Sequence, residues 1–328
     1  MPSAHPNPDP VVDIAVGYMA AKQLFAANRI GLFAALAGGE RDATGLAADL
    51  GVPRAVVRIL GDSLTAVGLL TREDGRYGLT GAARAYLTGP GADHDLGPYL
   101  RFLEEISYPH WLQFDRTVST GAPGELDVSG DRWSVFLAGV MAYNGLHARM
   151  LAQRLDFTPY RTALDLGGLS CEFAVAAMAA NPQLRTTFLY DPAMTAALTE
   201  QLAELGFADR TAVEAVPTVE ARPTGDADLV LVNHVIHRFD ADQNRAILAA
   251  ARAGARTGAR LVLLDFFLDD DPSPRALDAL HAAEYLVIDG TVVYPEDEVR
   301  GWCSAAGWRP LERITLPGSP RLLLCEAV

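Results

Sequence analysis

The chain of 328 residues carries 41 acidic and 27 basic side chains, which gives a formal net charge of −14 at pH 7, and half of its residues are apolar. The chain is longer than the segment that one hydrophobic core usually organises, and its length is typical of two domains. Because nucleic-acid binding depends on Lys and Arg clustered on one face, the acidic excess argues against a nucleic-acid partner.

Three cysteines, Cys171, Cys303 and Cys325, lie far apart and form neither a CxxC pair nor a Cys/His metal spacing. This pattern favours reduced thiols in a cytoplasmic protein. Residues 1–10 lack the basic and apolar regions of a signal peptide, and no apolar run approaches the roughly 20 residues of a membrane span. We therefore expect a cytoplasmic localisation and no membrane partner.

The first predicted domain, residues 1–93, opens with apolar residues at helical spacing over residues 11–36. Small residues among them permit close packing, and an apolar helix in this position favours contact with a second subunit. A short helix within residues 42–53 and a second helix over residues 54–67 precede two strands around the turn Asp74-Gly75. This succession predicts a winged helix.

A winged helix can bind DNA, but the charges of this one favour another role. Its second helix offers only Arg54 and Arg58 as cations, and the acids Asp49, Asp62 and Asp74 surround it. Because the electrostatic signature of DNA binding is missing, we interpret the module as a dimerisation domain.

The second predicted segment, residues 94–158, is helical and rich in aromatic residues. A loop near residues 121–130 precedes a long helix over residues 133–155. We interpret the segment as a linker that also covers the substrate. Most of its aromatic side chains are expected in the core, and a minority could line an aromatic pocket.

Strands and helices alternate over the third predicted domain, residues 159–328. The pattern predicts a doubly wound α/β sheet of seven strands, over residues 163–166, 186–190, 211–216, 228–233, 260–266, 310–315 and 322–326. Ligands of such sheets bind beyond the carboxyl ends of the strands. Four polar residues stand at these ends: Asp165, Asp191, Asn233 and Asp265.

A glycine pair, Gly167-Gly168, follows the first of these strands and precedes an alanine-rich helix. Glycine lets the backbone turn sharply, and the helix behind it presents unpaired N–H groups to a ligand. This succession is typical of the start of a nucleotide-binding unit, although Leu169 and Cys171 stand where such loops usually carry further small residues.

No metal site is predicted. The acidic run Asp269-Asp270-Asp271 precedes a proline, and its diverging side chains favour a solvated loop at the start of a helix over residues 273–286. His234 and His237 are three residues apart, but a zinc site would need a third ligand that the sequence does not locate.

Short motifs along nearly the whole chain resemble those of the bacterial small-molecule O-methyltransferases that use S-adenosylmethionine, relatives of the plant caffeate-type enzymes. They are Ile30-Gly31-Leu32-Phe33, Gly68-Leu69-Leu70, Leu164-Asp165-Leu166-Gly167-Gly168, Leu189-Tyr190-Asp191-Pro192, Asn233-His234-Val235-Ile236-His237-Arg238-Phe239 and Ala306-Gly307-Trp308. The resemblance implies a class I methyltransferase (Rossmann-like) fold, a homodimer through the N-terminal helices and a small-molecule substrate.

The resemblance also implies roles for individual residues. S-adenosylmethionine would be held by Asp165, Gly167, Gly168, Asp191 and Asn233. His237 matches the family's His-x-Trp/Phe motif and would be the general base, since an imidazole can take a phenol proton while the oxygen attacks a methyl group. Resemblance and position suggest a substrate pocket lined by Tyr108, His110, Trp111, Phe114, Met141, Asn144 and Tyr285.

Three segments depart from the family pattern. Leu169 and Cys171 add bulk to the cofactor loop, and Glu214 stands out of register with the usual Gly-Asp pair. At Val292 and Val293 the family commonly has a glutamate that orients the histidine base.

These departures leave several functions open. His237 would need Glu284 or Asp265 as a substitute partner. Beside O-methylation of an aromatic or polyketide-type molecule, one alternative is an enzyme of this fold with another reaction, such as hydroxylation, decarboxylation, cyclisation or pericyclic chemistry. The other is a catalytically silent dimer partner.

Overall fold

The computed structural model describes residues 6–268, 271–272 and 274–328. Asp269 and Asp270 of the acidic run, and Ser273 at the predicted helix start, lie outside the described residues. Within the described ranges, no helix combines the length and the apolar character needed to cross a bilayer. The chain divides into two compact units, of which the N-terminal one extends to Pro109 and includes Leu126–Tyr143, and the C-terminal one consists of His110–Glu125 and Asn144–Val328.

The N-terminal unit begins with two helices where the sequence suggested one over residues 11–36. Helix α1 spans Asp9–Arg29 and helix α2 spans Leu32–Ala35. Gly31 between them has φ +77°, a left-handed conformation that ends an α-helix and favours glycine. The prediction of one continuous helix is therefore wrong at this turn.

The winged helix is present as predicted. Its helices are α3, Ala43–Leu50, and α4, Arg54–Ala66. Its sheet has the order β1-β3-β2, with β1 at Arg41–Asp42, β2 at Leu70–Glu73 and β3 at Arg76–Leu79. The ring of Tyr77 packs against Gly61, where an added Cβ would lie 2.5 Å from the ring, and its hydroxyl donates to Asp62 Oδ1 at 2.7 Å.

Helices also fill the predicted middle segment, residues 94–158. After α5, Gly81–Tyr86, they are α6, Gly97–Phe102, a π-helical turn, Leu103–Ser107, α7, Tyr108–Trp111, α8, Phe114–Thr120, and α9, Asp131–Arg154. This segment contributes to both compact units. The functional boundaries expected after residues 93 and 158 stay a prediction.

The C-terminal unit contains the predicted seven-stranded sheet, in the order β6-β5-β4-β7-β8-β10-β9. The strands are β4, Thr162–Leu166, β5, Arg185–Tyr190, β6, Thr211–Ala215, β7, Ala227–Asn233, β8, Ala255–Asp265, β9, Trp308–Thr315, and β10, Arg321–Ala327. Strands β4 to β8 are mutually parallel, and β10 pairs antiparallel with β8 and β9. Because β5 and β6 lie on one side of β4 and β7 lies on the other, the chain reverses its winding between β4 and β7.

Among the described residues, five α-helices lie between successive strands of this sheet in chain order: α10, Glu172–Ala180, α11, Pro192–Glu204, α12, Ala241–Ala253, α13, Ala276–Asp289, and α14, Glu296–Ala305. Asp191 caps α11 by accepting from Ala193 N, and Asp240 forms a capping box with Gln243 at the start of α12. The central strand β7 is fully buried from Leu229 to Val232, as a strand covered on both faces should be.

Candidate active site

Polar side chains converge at the carboxyl edge of the parallel sheet, beside the point where the winding reverses. Asp165 lies one residue before the end of β4, and Asn233 and Asp265 end β7 and β8. All three are buried, whereas Asp191, directly after β5, is exposed. The structure thus gathers the four predicted strand-end residues at one edge of one sheet.

His237 sits in a single 3₁₀ turn, Ile236–Arg238, between β7 and α12. The buried Asn244 on α12 fixes this turn, because its Nδ2 donates to the carbonyls of Ile236 and Phe239, both at 2.9 Å. The hydroxyl of Tyr294 donates to the same Phe239 carbonyl at 3.0 Å. The backbone that presents the histidine is therefore held from helix α12 and from the loop before α14.

The imidazole of His237 pairs with Asp265. Nδ1 of the ring lies 2.8 Å from Asp265 Oδ1. Asp265 also accepts backbone N–H groups from Ile236 at 2.9 Å, from His237 at 3.4 Å and from Phe266 at 2.9 Å. Because an ionised carboxylate only accepts, the proton belongs on Nδ1, and Nε2, which bonds no described residue, keeps its lone pair.

The environment of Asp265 keeps its carboxylate charged. Burial acts to raise its pKa, but the nearby His237 and the hydrogen bonds from its ring and from the Phe266 backbone outweigh burial and hold the pKa below its usual value. A charged acceptor at Nδ1 orients the imidazole and fixes its tautomer. His237 and Asp265 together have the geometry of a general base with its orienting group.

Aromatic stacking fixes the plane of the His237 ring. Its centroid lies 4.0 Å from that of Tyr285 on α13, with an interplanar angle of 15°. One turn earlier on α13, His281 stacks on Phe266 at 4.1 Å and 10°. Helix α13 thus contacts the imidazole through a stacked aromatic ring.

A second pair of histidines lies behind this site. His147 on α9 and His234 are buried, and Nδ1 of His147 lies 2.9 Å from Nε2 of His234. Burial lowers the pKa of His234 to about 3, so that its ring is neutral at physiological pH. His234 also has φ +55°, a left-handed conformation that is uncommon for a residue other than glycine. These contacts agree with a structural role for His234.

Asp265 supplies the third group that a metal at His234 and His237 would need. One potential ligand atom from each residue lies within 4.8 Å of the others. The hydrogen bonds, however, already engage Asp265 with His237 and engage His234 with His147. The prediction of no metal stays a prediction, and the observed contacts form a hydrogen-bonded network.

The glycine loop after β4 is held by close contacts with the protein itself. Gly167 has φ +74°, and a Cβ there would lie 2.3 Å from Thr218 Cγ2. A Cβ at Gly168 would lie 2.6 Å from the hydroxyl of Tyr190. That hydroxyl donates toward Asp165 Oδ1 at 3.2 Å and toward the carbonyl of Ser170 at 3.0 Å. A side chain at either glycine would therefore force Thr218, Tyr190 or the loop itself to shift.

Two buried polar atoms beside this loop have no hydrogen-bond partner among the described residues. They are Oδ2 of Asp165 and Nδ2 of Asn233, whose Oδ1 accepts from Leu264 N at 3.0 Å. Burial raises the pKa of Asp165 to about 8, against the opposing hydrogen bond from Tyr190, so that the acid is largely protonated at neutral pH. Unpaired buried atoms are costly in a protein, and a polar ligand would satisfy them.

The other residues around the loop have distinct surroundings. Oδ1 of Asp191 accepts from Ala193 N at 3.0 Å, which leaves its second oxygen without a described donor. Nη1 of Arg238 donates to the carbonyl of Gly167 at 2.6 Å. Cys171 is buried, and burial raises the pKa of its thiol to about 12, which makes it a poor nucleophile. Leu169 is partly exposed.

Comparisons with known proteins agree with this geometry. Residues 109–309 match an O-methyltransferase domain, and residues 12–89 match an O-methyltransferase dimerisation domain. The chain belongs to the O-methyltransferase family. The predictions of the family, of an enzyme, of its α/β fold and of S-adenosylmethionine as the cofactor are thereby confirmed.

Relatives of known activity extend over nearly the whole chain. The 3-hydroxy-5-methyl-1-naphthoate 3-O-methyltransferase of Streptomyces sahachiroi is 31% identical over 97% of this chain and 95% of that protein. The apo structure of the S-adenosylmethionine-dependent methyltransferase SibL matches with a TM-score of 0.85 and 25% identity, over 98% and 99% of the two chains. Human N-acetylserotonin methyltransferase, solved with S-adenosylmethionine, shares the fold with a TM-score of 0.79 and 20% identity, over 100% and 99%.

Within this O-methyltransferase, one predicted pocket residue, Tyr285, contacts His237, and two others, Trp111 and Phe114, connect to the helix of Tyr285, α13. Trp111 donates from its indole Nε1 to Glu284, and its ring lies 4.8 Å from that of Phe114. Glu284 precedes Tyr285, the residue that stacks on His237. Trp111, Phe114 and Tyr285 therefore remain candidates for the substrate pocket.

The other four predicted pocket residues show no described contact with His237. His110 is buried and packs near Gly124, and Asn144 is buried on α9. Tyr108 and Met141 belong to the N-terminal unit, where the ring of Tyr108 lies 4.8 Å from Lys22 Nζ. Their roles in substrate binding stay predictions.

The structure also decides between the two partners that the sequence left open for His237. Asp265 bonds the imidazole, and Glu284 bonds Trp111 instead. Since Asn233 and Asp265 end adjacent parallel strands, their position in the predicted sheet already pointed to the edge where His237 lies. Neither Arg238 nor the contact between His147 and His234, which are 87 residues apart, has a comparable signal in the amino-acid pattern.

Proposed function

We propose that this chain methylates a hydroxyl group of an aromatic, polyketide-type small molecule, with S-adenosylmethionine as methyl donor and His237 as general base. The observation that carries the proposal is the pairing of His237 Nδ1 with the buried, charged Asp265, which leaves Nε2 available as a base. An oxygen nucleophile needs such a base, because a neutral phenol attacks a methyl group far less readily than a phenolate.

The residues around the loop fit the cofactor. The unpaired atoms of Asp165 and Asn233 and the free oxygen of Asp191 offer polar partners at the edge where ligands of such sheets bind. Bound there, S-adenosylmethionine would supply the electrophilic methyl group. Gly167 and Gly168 would contact it through their backbone, since glycine has no side chain to keep a ligand away from the main chain.

The substrate class is inferred from Tyr285, which stacks on the proposed base, from the aromatic side chains that adjoin helix α13, and from one relative. Trp111, Phe114 and Tyr285 present flat aromatic surfaces, which suit an aromatic ligand. The relative named as a naphthoate 3-O-methyltransferase acts, by its name, on a hydroxyl of a fused aromatic acid. A hydroxylated naphthoate or a related phenolic polyketide is the substrate class we propose.

We further propose that the enzyme is a homodimer. Its match to a dimerisation domain covers residues 12–89. Helix α1 exposes apolar side chains that a second subunit would cover, among them Val11 at 73%, Ile14 at 83% and Tyr18 at 54% exposure.

Calorimetry followed by a product assay tests the proposal. Purified enzyme should bind S-adenosylmethionine and S-adenosylhomocysteine, and mass spectrometry should detect one added methyl group on a hydroxynaphthoate. Lack of binding at about 1 mM ligand, which corresponds to only about 4 kcal/mol of affinity, would contradict methyl transfer. Binding without methylation of any phenolic substrate, together with another product, would favour a different reaction on this fold.

A further inference from the structure

Arg238 is the cation at the cofactor edge. It follows His237 directly, and its Nη1 donates to the carbonyl of Gly167 at 2.6 Å, which links the histidine turn to the glycine loop. The chain has a single lysine, Lys22, and it lies in the N-terminal unit. The permanently charged cations of the C-terminal unit, which contains the sheet, are therefore arginines. None of the other polar residues described at this edge, Asp165, Asp191 and Asn233, carries a positive charge.

Some N–H donors of the Arg238 guanidinium bond no described residue. Only Nη1 bonds a described residue, and the N–H groups of Nε and Nη2 have no partner there. The side chain is partly buried, which lowers the pKa of Arg238, but Tyr190, Asp265 and Asp191 act in the opposite direction and favour the charged form. A partly buried, charged fork with free donors is suited to a planar anion.

The proposed cofactor carries such an anion. Its amino-acid end has an α-carboxylate beside an ammonium group, and the rest of the molecule is a neutral nucleoside joined to a cationic sulfonium. A carboxylate matches the fork of a guanidinium through two parallel hydrogen bonds, whereas the carboxylates of Asp191 and Asp265 would repel it. The sulfonium and the ammonium group would favour those acids instead.

Resting on the proposed function, we propose that Arg238 binds the α-carboxylate of the cofactor's amino-acid end and thereby selects ligands that carry it. The position beside Gly167 places this contact on the loop that faces the cofactor. Arg238 then has two partners: the Gly167 carbonyl, which orders the guanidinium before binding, and the carboxylate, which takes the remaining donors. Preordering of this kind lowers the entropy cost of binding.

Two ligands that differ in the amino-acid end separate this role from a structural one. S-adenosylhomocysteine has the carboxylate, and 5′-methylthioadenosine lacks the whole amino-acid end. Calorimetry with the full-length wild type and with Arg238→Gln should show roughly 10- to 100-fold weaker binding of S-adenosylhomocysteine to the variant, as expected for loss of a charge-assisted pair. The affinity for 5′-methylthioadenosine should change by no more than about 2- to 3-fold, which is within the scatter of such measurements.

Arg245→Gln is the matched control, because Arg245 is an exposed arginine of α12 that pairs with Asp242. It should leave both affinities unchanged. If Arg238→Gln weakens the binding of both ligands equally, the inference is overturned, since Arg238 would then only hold the loop. The inference is also overturned if the variant weakens the binding of neither ligand.

Arg238→Lys keeps the test decisive if Arg238→Gln does not fold. It retains the charge but loses the planar fork. It should therefore weaken the binding of S-adenosylhomocysteine selectively, and by less than the Gln variant does. Equal weakening of the two ligands by Arg238→Lys would again overturn the inference. Failure of the wild type to bind either ligand would instead contradict the proposed function itself.

Discussion

Nδ1 of His237 lies 2.8 Å from Oδ1 of Asp265, and both side chains are buried at the carboxyl edge of the sheet. The carboxylate accepts three further backbone N–H groups, so that its position is fixed independently of the imidazole. A base whose orienting partner is itself held in place needs little reorganisation during the reaction.

Asp265→Asn should lower kcat by roughly 100-fold, because an amide can donate to Nδ1 and so favour the ring tautomer that carries its proton on Nε2. The pH profile of kcat should change as well, since the protonated imidazole loses its anionic partner. Affinity for S-adenosylhomocysteine, measured by calorimetry, serves as the control and should stay within about 3-fold if the pocket is intact. An unaltered kcat and pH profile would show that Asp265 only supports the backbone.

Stacking on Tyr285 should matter through its ring and not through its hydroxyl. Tyr285→Leu should reduce kcat by about 3- to 10-fold, in line with the energy of an aromatic pair, while Tyr285→Phe should retain most of the activity. Steady-state kinetics on both variants gives the comparison. A larger loss in the Phe variant than in the Leu variant would assign the effect to the hydroxyl group.

The fold was predictable because its signals are local. Buried apolar runs such as Leu229 to Val232, followed by polar strand ends, specify a parallel sheet, and the glycine loop marks its first unit. The break between α1 and α2 was missed because apolar spacing continues through Gly31, whose φ of +77° no pattern of side chains reveals.

The partners within the site were less predictable than its location. Asp265 and Glu284 were equal candidates in the sequence, and only the course of α13 turns Glu284 toward Trp111. The bond between Arg238 and Gly167 joins residues 71 positions apart, and it depends on where two loops meet after their strands have paired. Long-range contacts of this kind follow from tertiary packing and not from local pattern.

The raised pKa of Asp165 predicts a pH dependence of stability. The folded state holds the proton up to about pH 8, whereas an unfolded aspartate releases it near pH 4, so that the unfolded state gains stability as the pH rises between these values. The protonated Asp165 makes its full contribution to the free energy of unfolding below about pH 4. This contribution is lost as the pH rises through about 8, by up to about 1.4 kcal/mol per pH unit.

Asp165→Asn removes this titration and keeps the acceptor for Tyr190. Relative to the wild type, the variant should therefore become progressively more stable from about pH 5 to pH 8. Chemical denaturation at a series of pH values measures the difference. A constant difference across this range would mean that Asp165 is ionised in the folded enzyme.

His234 predicts the opposite pH dependence. Its folded pKa of about 3 lies below that of a histidine in an unfolded chain, so that the unfolded state takes up a proton as the pH falls below about 6.5. Stability should then decrease toward acid, and His234→Asn should show a weaker decrease than the wild type. If His234 does not contribute, thermal melts between pH 7 and pH 4 should show the same dependence of melting temperature on pH for the wild type and for His234→Asn.

The backbone at His234 supplies a matched comparison. Asn tolerates the left-handed conformation at φ +55°, whereas a β-branched residue does not. His234→Val should therefore be less stable than His234→Asn by about 1–2 kcal/mol at neutral pH. Equal stabilities in urea titrations would argue that the turn relaxes without cost.

The central claim, that His237 is the base for methylation of an aromatic hydroxyl, is tested most directly by product formation in His237→Ala at saturating S-adenosylmethionine. The variant should bind S-adenosylhomocysteine as the wild type does, but it should methylate a phenolic substrate at least about 100-fold more slowly. Methyl transfer by His237→Ala at the wild-type rate would contradict the assignment.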